Sequence, residues 1–164
     1  METRRKLCLV GDFGVGKSSL ARRFVVNAFD ERYITTLGVT IDTKAVELES
    51  RRVKLVIWDI AGTNQFDTAS KRYLEGASGL LLVCDSTRWR TFATALELVE
   101  QCRQILGATP FIGLVNKVDL VAQRDVVAAD LAAARAAGQV WHEVSALNGQ
   151  GVEQAFIQLA RAVA

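Results

Sequence analysis

Histidine, proline and cysteine are scarce in this chain, which carries one, one and three of them in 164 residues. With His142 alone, no site that needs two imidazoles can form. Cys8, Cys84 and Cys102 lie far apart, each in an apolar stretch. They offer neither a zinc-ligand spacing nor a disulfide framework, so buried free thiols in a reducing compartment are expected. Neither sign of charge dominates: Lys plus Arg number 20 against 18 Asp plus Glu, for a formal net charge of +2. That balance gives no case for nucleic acid or for an anionic membrane surface as partner. No apolar run approaches the ~20 residues of a membrane-spanning helix, no signal peptide opens the chain, and no cysteine stands near the closing RAVA to carry a prenyl group. A cytoplasmic protein without a membrane anchor in this sequence is expected, membrane association following only if a lipidated tail has been removed.

What is present is an ordinary globular composition, half hydrophobic and 23% charged. Residues 1–164 are expected to form a single domain, a length able to bury roughly two thirds of its unfolded surface. Apolar runs of strand length occur at 6–10, 53–58, 79–84 and 111–115, with a shorter one at 140–144. Their richness in branched residues suits a sheet covered on both faces. Arg4, Arg5 and Lys6 read as a solvated terminus before the first of them. Residues 41–49 alternate imperfectly and are joined to 53–58 by only Ser50, Arg51 and Arg52, which implies an antiparallel hairpin at a sheet edge. Helical spacing links Leu20 with Phe24, and Phe92, Leu96, Val99, Cys102 and Leu106 with one another; 126–137 and 152–163 read as two further helices. Strands alternating with helices predict a mostly parallel α/β sheet.

Four of these strands run into polar, turn-forming residues: Gly11, Asp59, Asn116 and Ser145. Ligands of open α/β sheets bind beyond the carboxyl ends of the strands, so these ends describe one site. The first, Gly11-Asp12-Phe13-Gly14-Val15-Gly16-Lys17-Ser18, fits the G-x-x-x-x-G-K-[ST] phosphate loop and lies between a strand and a helix, as that motif requires. Its glycines let backbone N–H groups turn inward around an anion, and the helix start adds its positive end. Lys17 is expected on the β- and γ-phosphates and Ser18 on Mg²⁺. The competing reading is a glycine turn with a solvated lysine. The second, Asn116-Lys117-Val118-Asp119, supplies a carboxylate able to accept from the N1 and N2 donors of guanine, a pair that adenine lacks. Asn116 can tie this loop to the phosphate loop, and the stem of Lys117 can lie against the base. Alone NKVD is an unremarkable polar turn; the phosphate loop gives it meaning.

With GDFGVGKSSL, TLGV, WDIAG, NKVD and SAL in this order and approximate spacing, the chain resembles the Ras superfamily of small GTPases over essentially its whole length. Thr36-Leu37-Gly38-Val39, with Ile41, Trp58 and Tyr73 on the surface such proteins offer to partners, makes it most similar to the Rab branch. The resemblance implies a three-layer fold with a six-stranded sheet and five helices, GTP and GDP as ligands, Mg²⁺ as cofactor, and two loops that report the γ-phosphate. It implies nucleotide contacts from Gly14, Val15, Gly16, Lys17, Ser18, Ser19, Asn116, Lys117 and Asp119. Phe29 would pack on the guanine, Tyr33 would cover the phosphates, and the Gly62 N–H would meet the γ-phosphate. Ser145, Ala146 and Leu147 would form the second base loop. Metal contacts would come from Ser18, Thr36 and, through water, Asp59. Effectors, exchange factors and activating proteins would dock on residues 30–47 and 62–75.

Three residues depart from the family pattern. Phe13 stands beside the γ-phosphate where small residues are usual, able to crowd an activator's arginine or to swing clear. Leu147 replaces a common lysine. Thr63 occupies the position of the glutamine that orients the attacking water, and its hydroxyl is too short for that task; Gln65, two residues on, is the substitute if the loop folds differently. The Rap branch also has threonine here and relies on a partner's side chain. Catalysis is therefore assigned to Lys17 with help from Thr63 or Gln65, and slow unaided hydrolysis is expected. The alternative is a GTP-loaded module that barely turns over and presents a fixed effector surface. A phosphate-loop kinase is disfavoured because NKVD selects guanine and no arginine-rich lid is evident.

Overall fold

The computed structural model describes residues 2–25 and 38–164, together with the backbone of 33–34. Phe29 and Thr36 lie outside the described residues, as does the side chain of Tyr33. The chain runs β1 (Glu2–Gly11), α1 (Lys17–Val25), β2 (Tyr33–Ile34), β3 (Thr40–Leu48), β4 (Arg51–Asp59), α2 (Thr68–Leu74), β5 (Gly79–Asp85), α3 (Trp89–Leu106), β6 (Phe111–Asn116), α4 (Ala128–Ala136), β7 (Trp141–Glu143) and α5 (Val152–Val163).

Strand order in the sheet is β2-β3-β4-β1-β5-β6-β7. The five strands that contain the apolar runs pair in parallel, and β3 runs antiparallel to β4. All six expected strands are present; the two-residue β2 adds a short antiparallel partner outside β3, too brief to leave a hydrophobic pattern. The basic start is not a solvated tail. Arg4 and Arg5 lie within β1, opposite Lys54 and Leu55 of β4, because β4 carries the ladder on past the point where β5 begins pairing at Leu7. Lys6 lies 3.8 Å over the Trp58 ring and donates to the Glu75 carbonyl at 2.7 Å.

Alternation along β1 sorts the core into two faces. Leu7 and Leu9 point to a cluster with Leu20 and Phe24 of α1 and Phe156 and Leu159 of α5. Cys8 and Val10 point the other way, to Leu74 of α2 and Leu98, Val99 and Cys102 of α3. A third cluster joins Phe92 of α3, Leu131 and Ala134 of α4, and Trp141. The sheet is thus a middle layer between α1 with α5 and α2 with α3 and α4. All three thiols are free and buried, and burial pushes Cys8 and Cys102 up to about 12. Among the described residues no helix is long and apolar enough to cross a membrane.

α2 left no sequence stripe because its seven residues bury only Leu74. It is started instead by Asp67, whose carboxylate accepts from the Ser70 N–H at 2.7 Å. The predicted helix over 126–137 is observed as Ala128–Ala136, opened by the Val127 N–H donating to Asp130 at 2.8 Å.

Candidate functional site

Register brings the strand ends to one edge. Leu9 of β1 sits opposite Asp59, Gly11 opposite Val83, and Asp85 opposite Asn116. The Gly11–Lys17 turn crosses that edge. Gly16 adopts φ +96°, and a β-carbon there would collide with the Asn116 amide, so only glycine permits the loop to close on β6. A cavity of about 300 Å³ opens beside the loop, lined by Gly14, Gly16, Lys17, Ser18 and Ser19 with Gly38, Thr40, Asp59 and Gly62.

Lys17 is buried, its ammonium 3.3 Å from the Gly11 carbonyl and 3.2 Å from that of Asp12. Burial lowers its pKa, partly offset by Asp59 and Asp12. The Ser18 hydroxyl donates directly to the buried Asp59 carboxylate. A hydroxyl beside a carboxylate in a cavity lined by the phosphate loop fits Mg²⁺, which takes few protein oxygens and completes its shell with water and phosphate.

The base loops interlock through β6. Asn116 donates to the Val15 carbonyl at 3.0 Å and accepts from the Ala146 N–H at 3.1 Å. Lys117, held at φ +66°, donates at 2.8 Å to the Gly14 carbonyl and at 2.9 Å to Asp85. The fully buried Ser145 donates to Asp119 at 2.7 Å, which orients that carboxylate. Leu147 is largely exposed, and its carbonyl accepts from Arg23 at 3.1 Å.

The second loop has a different character. The Thr63 N–H donates to the Gly11 carbonyl at 3.0 Å. Its hydroxyl turns back, donating to the Gln65 carbonyl at 2.6 Å and accepting the Gln65 N–H at 3.1 Å. Gln65 lines a separate cleft with Asp12, Trp89 and Glu97, so neither it nor Thr63 lines the phosphate-loop cavity. Gly62 lies so close that a β-carbon on it would be 2.7 Å from the Phe13 Cα and 3.0 Å from its ring. Phe13 is otherwise 65% exposed. His142 meets Gln158, and Trp141 is buried in the core.

Two residues at this edge escape the sequence reading. Asp85 ends β5 as a buried carboxylate. Burial pushes it up, but donors from Thr87, Lys117 and Arg88 outweigh that and hold it down at about 2. Arg88 reaches Asp85 at 3.1 Å and the Phe13 carbonyl at 2.9 Å. The signal for Asp85 was its place: like Gly11, Asp59 and Asn116, it is the polar residue closing a buried strand.

The sequence profile of the Ras family matches residues 6–164. The chain is 37% identical over 158 residues to Ras-related protein Rab-13 of Mesocricetus auratus, covering 95% of this chain and 78% of that protein. It is 34% identical over 160 residues to human Ras-related protein Rab-22A, covering 96% and 82%. A strand-to-helix phosphate loop tied to a guanine-type base loop agrees with both likenesses, and the chain belongs to the Ras family of small GTPases, near its Rab branch.

Proposed function

We propose that this GTPase, acting as one G domain over residues 1–164, grips its nucleotide at the carboxyl edge of the sheet and hydrolyses GTP slowly when unaided. Gly14 to Ser19 and Gly62 hold phosphates, with Tyr33 covering them. Asp119 reads the guanine, flanked by Phe29 and Lys117, and Ser145, Ala146 and Leu147 close the base pocket. Ser18, Thr36 and, through water, Asp59 hold Mg²⁺, which neutralises charge on the transferring phosphoryl group. Effectors and regulators dock on 30–47 and 62–75, where Ile41 lies opposite Trp58 and the Trp58 and Tyr73 rings are 6.1 Å apart.

The observation that carries slow turnover is the Thr63 hydroxyl, already engaged with its own loop through Gln65. Lys17 still supplies charge at the phosphates, but no described side chain of this loop is aimed to orient a water. Single-turnover hydrolysis with Mg²⁺ tests it: Thr63→Gln should accelerate GDP formation about tenfold or more, since a positioning group is worth factors of this order. An unchanged rate defeats the assignment to Thr63. The contact between Phe13 and Gly62 favours a second reading, in which an activator's arginine is kept out and the protein stays GTP-loaded. Nucleotide extracted from the purified protein separates the two, mostly GDP counting against the second.

A further inference from the structure

The phosphate loop is held from outside by three side chains. Arg88 donates to the Phe13 carbonyl at 2.9 Å, Lys117 to that of Gly14 at 2.8 Å, and Asn116 to that of Val15 at 3.0 Å. In a planar trans peptide the C=O and the following N–H point opposite ways. Holding these three carbonyls outward therefore turns the N–H groups of Gly14, Val15 and Gly16 inward. Cationic donors also polarise the amides they bind, which strengthens those N–H groups toward an anion. Asn116 and Lys117 belong to the base loop and are accounted for there. Arg88 belongs to neither loop.

We propose that Arg88 is a positioning residue that orients the Gly14 N–H by bracing the Phe13 carbonyl and thereby sets how long the protein retains its nucleotide. The guanidinium is a two-pronged brace. Its Nε lies 3.1 Å from Asp85 Oδ2, the oxygen Lys117 also contacts at 2.9 Å, while Nη2 reaches Phe13. Thr87 occupies the other Asp85 oxygen through its N–H and hydroxyl at 2.8 and 2.7 Å, so the carboxylate is fixed and both cations are aimed by it. A β-carbon on Gly14 would be 3.4 Å from Arg88 Nη2, so the guanidinium lies over the peptide it orients. Phe13 is also the surface against which Gly62 rests, so the brace steadies the side of the loop nearest the segment 62–75.

An arginine 45% exposed at a helix start contributes little to folding while Lys117 and Thr87 still satisfy the buried Asp85. Its leverage is on orientation, which separates this role from a structural one. The inference rests on the nucleotide site proposed above. The test is release of fluorescent GDP into excess unlabelled GDP with Mg²⁺, read beside thermal melting without nucleotide. Arg88→Ala should release GDP about tenfold faster, the factor expected from losing one charge-assisted hydrogen bond, with melting nearly unchanged. Arg88→Lys should not restore full retention, because one flexible ammonium nitrogen replaces two guanidinium nitrogens fixed in a plane, one on Asp85 and the other on the Phe13 carbonyl. Parental release from either variant overturns the brace, and if the alanine variant does not fold, the lysine variant decides. A parent protein that retains no guanine nucleotide sinks the site itself, whereas a retentive parent with an indifferent Arg88→Ala sinks only this inference.

Discussion

Lys17 exemplifies a side chain placed at the expense of the fold. Its ammonium is buried and its pKa lowered, chiefly by desolvation. A lowered lysine pKa means that the charged form is disfavoured by folding at every pH below its ordinary value, and a bound phosphate removes that penalty. Lys17→Met keeps the aliphatic stem and drops the charge. Urea unfolding of the nucleotide-free variant should therefore give a midpoint equal to or above the parent's, while calorimetry shows GDP affinity reduced by at least about a hundredfold, two charge-assisted contacts' worth. A variant that is both less stable and still tight-binding would place Lys17 in the scaffold. Thr63 and Gln65 show the same scale from the other side, since their identities were readable in the sequence but the direction of the Thr63 hydroxyl was not. Competition between a local turn and the cavity decides that, and it is settled only in the folded chain.

Among the elements, those with a full hydrophobic period were legible and the brief ones were not. VKLVIW and GLLLVC declare buried strands because each is a strand-length run rich in branched residues; α3 declares itself through Phe92, Val99 and Cys102. α2 spans two turns with one buried residue, so its existence depends on a cap and on tertiary contact, not on periodicity. That makes a prediction. Asp67→Ala removes the carboxylate that accepts from Ser70, the side-chain cap on the first turn of α2. The loss should appear as faster amide exchange over 68–74 and little change in global stability, because α2 can fray without opening the core. Uniform loss of protection across the sheet would show that α2 is not an independent unit. Arg88 escaped for a different reason: its partner Phe13 is 75 positions away, and no spacing rule connects the start of α3 to a loop after β1.

At the scale of the whole molecule, Asp85 joins stability to the site, because one buried carboxylate anchors Lys117, Arg88 and Thr87 and is held down at about 2. A carboxyl whose folded pKa lies below its unfolded value of about 3.9 stabilises the fold fully above that value. The contribution is lost progressively as pH falls from about 4 to about 2, where the folded form also takes up its proton. The difference amounts to about 2 kcal/mol. The exposed Asp67, lowered by its bonds to Ser70, adds in the same direction. Urea unfolding of the nucleotide-free protein from pH 7 down to pH 2.5 should show this acid limb, and Asp85→Asn should flatten it. The variant will also be less stable at pH 7, since Lys117 and Arg88 lose their shared anion. The slope, not the midpoint, is therefore the diagnostic. Parallel pH dependences for parent and Asp85→Asn would mean that the carboxyl titrates alike in the folded and unfolded chains, and the cations at the phosphate loop would then need another anchor.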